Sequence, residues 1–455
     1  MAIARASIPS GSTSATAIPI RSISRTGCAP RYWAVCSASP ELFFRLEGDA
    51  IESRPMKGTA ARGLWSADDR RKAADLRSSE KERAENVMIV DMVRNDLGRI
   101  ALTGTVRVPH LFTLEQYPTV WQMTSTVRAS SRAPLDRIFR ALFPAASVTG
   151  APKRRAMEII SEIETTPRRI YTGTIGFAAP GRRAQFNVAI RTLLMDRASG
   201  RTEYGVGGAI VWDSNCADEQ NECAIKARVL HVRRPEFDLL ETMRWSPQDG
   251  FSLLSRHLER LAQSADYFGF RVDLAHVRGE LDRLACRLEP VPHRIRLLVT
   301  RTGKVRCESA VLPAGSESFP DLAVAAAPVN RDDVFLYHKT THRTVYEDAV
   351  KARPGFGDVL LYNDAGEIME STIANVAVEA GGDLVTPPVR CGLLPGTYRA
   401  WLLEQHRVQE KVVRLEEVLS SPNVYLMNSV RGMHKVRVLR CGERGTPNRK
   451  LETAR

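Results

Sequence analysis

Arg54-Pro55-Met56-Lys57-Gly58-Thr59 is the stretch on which the reading of this 455-residue chain turns. A lysine between a proline-set turn and a Gly-Thr pair is held against backbone instead of reaching into solvent. An amine desolvated in that way can lose its proton near neutral pH and become a nucleophile. Alone, the hexapeptide also fits a solvated surface lysine, the ordinary state of that side chain. Its neighbours decide.

Downstream lie Lys81-Glu82-Arg83-Ala84-Glu85-Asn86 and Val90-Asp91-Met92-Val93-Arg94-Asn95-Asp96-Leu97-Gly98-Arg99. Ser147-Val148-Thr149-Gly150-Ala151-Pro152-Lys153, Tyr171-Thr172-Gly173 and Asn187-Val188-Ala189-Ile190-Arg191-Thr192 follow. Gly205-Val206-Gly207-Gly208, Asp213-Ser214, Glu219 and Glu222 close the series. Glu82 and Glu85 share a face of a helix, and Glu219 and Glu222 repeat the spacing on a second one. Each pair by itself also reads as an ordinary acidic helix face.

These motifs, in this order from about Ser39 to Leu230, resemble the catalytic half of the chorismate-utilising enzymes, the family of anthranilate synthase and aminodeoxychorismate synthase component I. The resemblance implies that Glu82, Glu85, Glu219 and Glu222 hold Mg²⁺, a hard cation suited to carboxylate oxygens. It implies substrate contacts from Glu41, Thr59, Ser147, Tyr171, Arg191, Gly207 and Gly208, with Arg191 as a two-pronged carboxylate clamp. Lys57 resembles the aminodeoxychorismate synthases, which use a lysine here as covalent nucleophile, whereas anthranilate synthases carry a small residue. Gln122 stands where anthranilate synthases place a histidine, which agrees with a product that keeps its enolpyruvyl group.

After the Arg233-Arg234 connector the pattern changes. Phe237-Asp238-Leu239-Leu240-Glu241-Thr242-Met243, Arg256-His257-Leu258-Glu259-Arg260-Leu261, His338-Lys339-Thr340-Thr341-His342-Arg343 and Ile368-Met369-Glu370-Ser371-Thr372-Ile373-Ala374-Asn375 follow one another. Leu393-Leu394-Pro395-Gly396-Thr397 and Leu426-Met427-Asn428-Ser429 complete the set. From about Phe237 to Leu439 the chain resembles the fold-type IV pyridoxal-phosphate enzymes, among them aminodeoxychorismate lyase and the branched-chain and D-amino acid aminotransferases. The resemblance implies that Lys339 carries the cofactor and shuttles protons, and that Glu370 pairs with its ring nitrogen. Arg260 and the backbone around Thr397, Tyr398 and Ser429 would hold its phosphate. Arg256, Glu259 and Arg260 also read as a solvated helix face. The family's aromatic residue near the cofactor hydroxyl is not evident after Lys339; Tyr346 lies two residues beyond its place.

The resemblances predict an α+β domain of layered, mainly antiparallel sheets, N-terminally incomplete, followed by a two-lobed α/β fold-type IV domain. The expected divisions are 1–36 (disordered or mis-framed), 37–232, 233–440 and a 441–455 tail. Strands are expected over 182–194 and 204–212, and helices over 81–95 and 153–164. The joint reading is 4-aminobenzoate synthesis for folate: amination of chorismate, then elimination of pyruvate. An aminotransferase fused to an inactive chorismate-binding remnant, and an anthranilate synthase-type activity, stand as alternatives. No Gly-x-Cys-x-Gly nucleophile elbow is present, which implies a separate glutamine amidotransferase subunit or free ammonia. Fold-type IV resemblance also implies a homodimer.

The net charge of +13 comes from arginine scattered along the chain, not from a basic run interleaved with aromatics, which argues against nucleic-acid binding. The eight cysteines form no metal-ligand spacing and fit a reducing cytoplasm. No apolar run has the length of a membrane span. Residues 1–36 are Ser-, Arg-, Ile- and Pro-rich, a composition that imitates a transit peptide; the expectation is a truncated or mis-framed amino terminus.

Overall fold

The Glu80–Gly98 helix sets the frame of the first unit. Ser79 caps it, its side chain accepting from the Glu82 N–H at 3.4 Å. Ile89, Val90, Val93 and Leu97 form its apolar stripe and pack against Phe43, Phe44, Leu46 and Ile51 of the neighbouring strands. Each such buried side chain contributes roughly 1.5–3 kcal/mol of burial free energy. The turn before that stripe carries Glu82, Glu85 and Asn86, so the apolar positions fix where the polar ones point.

The computed structural model describes residues 4–5, 18–21, 32–210, 214–228, 235–313, 315 and 318–439. Most of the stretch 1–36, together with Asp213, Arg233, Arg234 and the tail 441–455, lies outside the described residues. The chain divides into two units, one of residues 1–62 and 71–233, the other of 63–70 and 234–455. The segment 63–70, expected within the first domain, therefore groups with the second unit, where Trp65 stacks on Tyr337 at 5.2 Å.

In the first unit a seven-stranded antiparallel sheet runs Met56–Ala61, Val120–Ser130, Ala50–Arg54, Leu42–Glu47, Arg183–Val188, Thr174–Ala179, with Arg107–Gln116 also on Val120–Ser130. A second antiparallel sheet orders Ala4–Arg5, Thr202–Val206, Thr192–Asp196, Tyr32–Ser37 and Ile18–Arg21. The strand expected over 182–194 is broken: Arg183–Val188 and Thr192–Asp196 belong to different sheets, and Arg191 between them has φ 51°. A left-handed arginine is costly and marks a backbone held in place by its surroundings. The strand expected over 204–212 ends at Val206, and the helices expected over 81–95 and 153–164 run Glu80–Gly98 and Lys153–Ile163.

The second unit opens with a four-stranded antiparallel sheet, Gly250–Phe251, Leu239–Ser246, His293–Val299 and Val305–Val311, against which the Leu254–Phe268 helix lays Leu261 and Ala265. Two further sheets follow. One contains the parallel pairs of Leu322–Val324 with Asp358–Tyr362 and Val438–Leu439. The other is built round Asn375–Ala380 and Val424–Asn428. Separate apolar clusters under the opening sheet and the later ones give the two-lobed α/β form. Among the described residues no helix is long and apolar enough to cross a membrane.

Candidate functional sites

The first site is built where the Met56–Ala61 strand meets the Glu80–Gly98 helix. Lys57 places Nζ 2.8 Å from Glu85 Oε2, with a quarter of its side chain exposed. Gly58 follows at φ 103°, and a Cβ there would lie 3.1 Å from Glu82 Oε2, so the residue needs both glycine's backbone freedom and its lack of a side chain. Burial, and then the Glu85 charge, raise the Glu82 carboxyl above its ordinary pKa; Lys57 opposes them and Glu222 adds to them. Glu82, Glu85, Lys57 and Glu222 thus share one electrostatic neighbourhood.

The Cys216–Arg228 helix supplies the second carboxylate pair. A Cβ on Gly208 would stand 2.5 Å from Glu219 Oε2 and 3.3 Å from Glu222 Oε2, so only glycine lets that backbone come so close. Glu222 pairs with Lys226 at 2.8 Å, and Lys226 also donates to the Gly207 carbonyl at 3.0 Å. Gly207 thus offers its carbonyl to Lys226, which leaves its N–H out of that bond. Arg191 donates from Nη1 to the Lys226 carbonyl at 2.8 Å, which ties the left-handed strand break to this helix. Its guanidinium also bears on Tyr171, whose hydroxyl burial pushes up to about 12.

Among the described residues, no three of the carboxylates converge into a ready ligand group. Lys57 takes Glu85, Lys226 takes Glu222 and Ser214 donates to Glu219 Oε1 at 2.6 Å, because crowded carboxylates repel and these three find local donors. The donor set nonetheless suits a hard cation. Glu219 Oε2 is buried with no hydrogen-bond partner among the described residues, and such an oxygen gains most from a metal ion.

Glu41 and Ser147 form a neighbouring pair. The Ser147 hydroxyl donates to Glu41 Oε1 at 2.5 Å, and burial raises the Glu41 carboxyl to about 7 despite that bond and one from the Met56 backbone. Thr59 faces Gln122 across the sheet, with the Gln122 amide donating to its hydroxyl at 2.9 Å. Asn86 was not assigned a role from sequence. It is buried, donates to the Lys57 carbonyl at 3.0 Å and accepts from the Ser125 hydroxyl at 2.6 Å. It lies one residue after Glu85, and that adjacency was the available signal.

The second site surrounds Lys339, which burial, then the Arg260 and Arg343 charges, lower to about 8. Arg260 is not on a solvated face. It is 8% exposed, on the buried stripe of its helix with His257, Leu261 and Ser264, whereas Glu259 is exposed. Its Nε and Nη2 donate to Glu241 Oε1 and Oε2 at 2.9 and 2.6 Å, and Nη1 donates to the Pro395 carbonyl at 3.2 Å. Burial would raise Glu241, but Arg260 and His257 outweigh it and hold that carboxyl at about 2. His257 Nδ1 lies 2.7 Å from Glu241 Oε2, and Nε2 lies 3.3 Å from the Thr397 hydroxyl.

Glu370 is raised to about 7 by burial, against the bonds it accepts. Its Oε1 accepts from the Tyr346 hydroxyl at 2.7 Å and the Leu394 N–H at 3.1 Å, and its Oε2 accepts from Asn375 Nδ2 at 3.0 Å. Tyr346, found at no family position, is thus committed to Glu370. Ser429 donates to the Thr242 carbonyl at 3.1 Å, on the strand that carries Glu241. Tyr398 turns its ring onto Trp401 at 5.4 Å and is left with its backbone, in the first turn of the Thr397–Glu404 helix. A buried acid at Glu370, two N–H groups of Arg260 beyond the three already used, and a helix start at Thr397 fit a phosphorylated cofactor with a basic ring nitrogen. Glu241, His257, Arg343 and Asn375 escaped assignment from sequence, although each stood inside a quoted motif.

Residues 23–231 match the chorismate binding enzyme family and residues 238–439 match amino-transferase class IV. The first half is 45% identical over 199 residues to the probable chloroplastic aminodeoxychorismate synthase of Oryza sativa subsp. japonica, covering 43% of this chain and 22% of that one. It is 44% identical over 207 residues to anthranilate synthase component 1 of Streptomyces coelicolor, covering 44% of this chain and 40% of that one. The chain thus spans less than half the length of either relative. A solved structure described as an amino-acid aminotransferase, from Mesorhizobium loti, is 33% identical, covering 45% of this chain and all of its own, with a TM-score of 0.42. The chain thus joins two domains, one over residues 23–231 that matches the chorismate binding enzymes and one over residues 238–439 that matches amino-transferase class IV.

Proposed function

We propose that the chain makes 4-aminobenzoate in two steps, converting chorismate and ammonia to 4-amino-4-deoxychorismate and then eliminating pyruvate. The observation that carries the first step is the Lys57 amine, 2.8 Å from one carboxylate of a set suited to Mg²⁺. That amine adds to C2 of the chorismate ring as the C4 hydroxyl leaves, taking a proton that Glu41 can supply up to about pH 7. Ammonia then enters at C4 and expels the lysine, so one hard substitution becomes two easier ones. Mg²⁺ held by Glu82, Glu85, Glu219 and Glu222 supplies positive charge for the ring carboxylate, and Arg191 with Tyr171 grips the enolpyruvyl carboxylate. Gln122 beside Thr59 offers no acid for pyruvate loss, so the first product keeps its side chain.

In the second step Lys339 moves the C4 proton of the aminated ring, and an amine near pKa 8 is suited to accept and return it. Arg260, Thr397, Tyr398 and Ser429 hold the phosphate of pyridoxal phosphate and Glu370 faces its ring nitrogen; bound, the cofactor supplies an electron sink. Aromatisation drives the elimination. The remaining proposals are a glutamine amidotransferase subunit as ammonia source, a homodimer through the second unit and a cytoplasmic location.

The test is 4-aminobenzoate formation from chorismate and ammonium with Mg²⁺ and pyridoxal phosphate, beside the same assay fed aminodeoxychorismate. Lys57→Ala should abolish the first and spare the second. Anthranilate as product would establish the alternative that the Streptomyces coelicolor relative favours and Gln122 opposes. Failure of both assays, with transamination of a keto acid, would establish an aminotransferase.

A further inference from the structure

His257 has no exposed surface and sits between two polar groups of opposite need. On one side is the Glu241 carboxylate, ionised throughout the neutral range and able only to accept. Nδ1 must therefore carry a hydrogen. In a neutral ring Nε2 is then an acceptor, and the Thr397 hydroxyl has to spend its only hydrogen on it. A phosphate dianion accepts hydrogen bonds and donates none. Thr397 in that state shows a phosphate lone pairs alone.

A second proton on the ring reverses the polarity. Nε2–H then donates to Thr397 Oγ1, and the hydroxyl hydrogen becomes available to a phosphate oxygen. We propose that His257 takes up a proton when a phosphate monoester settles against Arg260 and Thr397, so that phosphate capture by the second unit is proton-linked. This rests on reading Arg260 and Thr397 as the phosphate-holding groups.

The charges facing the ring point the same way. Glu241 comes from the Leu239–Ser246 strand, Arg260 from the ring's own helix, Lys339 from the segment after Leu336, and neutral Thr397 from the Thr397–Glu404 helix. Burial keeps His257 below its ordinary pKa, with Arg260 and Lys339 adding to it and Glu241 opposing. Glu241 and Arg260 already cancel each other. Lys339, near pKa 8, supplies only part of the charge an arriving dianion needs, and a proton on His257 supplies the rest.

Pyridoxine 5′-phosphate is the probe, because its alcohol cannot bond covalently to Lys339. Its binding to the full chain is measured by titration calorimetry at pH 8 in two buffers of different ionisation enthalpy. With a phosphate second pKa of about 6, the phosphate is already a dianion there, so any proton taken up goes to the protein or to the ligand's ring nitrogen, and the variants separate the two. The expected result is uptake approaching one proton per site, and affinity falling up to about tenfold per pH unit between the free-state and bound-state pKa values and levelling above the latter. His257→Gln should remove most of that uptake, and the near-isosteric Thr397→Val should also diminish it should the glutamine variant not fold. Binding without uptake, or uptake undiminished in both variants, which would put the proton on Lys339, Glu370 or the ligand's ring nitrogen, overturns the inference while leaving the site intact. Binding indifferent to Arg260→Met, or none, removes the phosphate site itself and the inference with it.

Discussion

Glu370→Gln should stabilise the cofactor-free protein above neutral pH, although it deletes a group assigned to the cofactor. The Glu370 carboxyl is buried and raised from 4.5 to about 7. It stays protonated in the fold well past the pH at which it ionises in the unfolded chain. Its contribution is therefore full below about 4.5 and is lost as pH rises through 7. At about 1.4 kcal/mol per pKa unit, the whole loss is roughly 3 kcal/mol, most of which falls between pH 5 and pH 8. Glutamine does not ionise and escapes that loss. It introduces one mismatch, because its amide would face Asn375 Nδ2, which now donates to Oε2 at 3.0 Å; the cost is about 1–2 kcal/mol at every pH. The variant should thus be level with or below wild type at pH 5 and above it at pH 8, by roughly 1–2 kcal/mol or a few degrees in melting temperature. Thermal unfolding of both proteins at the two pH values is the assay. A wild-type-minus-variant difference that does not change between pH 5 and pH 8 would refute the reasoning. So would a variant that weakens most at pH 8.

Three further outcomes follow from the distances. Asn86→Ala strands the Lys57 carbonyl and the Ser125 hydroxyl, costing about 1–3 kcal/mol of stability, and should slow chorismate amination while aminodeoxychorismate breakdown is unchanged; equal losses in both steps would contradict a role confined to Lys57. Gly208→Ala drives a methyl into Glu219 Oε2 and should raise the Mg²⁺ concentration for half-maximal amination by about 10-fold or more, as read from a magnesium titration. Capture of pyridoxal phosphate by Lys339, followed by absorbance, should accelerate up to about pH 8 and then level. At pH 7 about a tenth of that amine is free, some hundreds of times the fraction for an ordinary lysine.

Position along the chain revealed more than side-chain partnership did. Helix spacing alone puts Glu82 and Glu85 on one face, and Lys57 reaches Glu85 from the Met56–Ala61 strand although the Ser66–Ser78 helix intervenes in the sequence. Sheet closure was not legible. Nothing local indicates that 182–194 splits between two sheets at Arg191, since that break is imposed by packing against the Cys216–Arg228 helix. Nor were the partners of the carboxylates legible: Glu85, Glu222 and Glu219 are held by Lys57, Lys226 and Ser214, the last two on the Cys216–Arg228 helix or just before it.

The second site shows a subtler limit. Helix periodicity places His257, Arg260, Leu261 and Ser264 on one stripe, and a charged residue on a buried stripe demands a partner. That argument, pursued, locates an acid opposite Arg260 and excludes the solvated-face reading. It cannot identify Glu241 as the acid, because the pairing crosses from helix to strand. Nor can it reveal that Glu241 fixes the hydrogen on His257 and so the direction of the Thr397 hydroxyl, a property of three residues from three elements. Residue types and spacing show which groups could meet a phosphate. Which way their hydrogens point depends on what stands behind them, and behind Thr397 stands an imidazole whose own orientation is set by a carboxylate that never needs to touch the ligand.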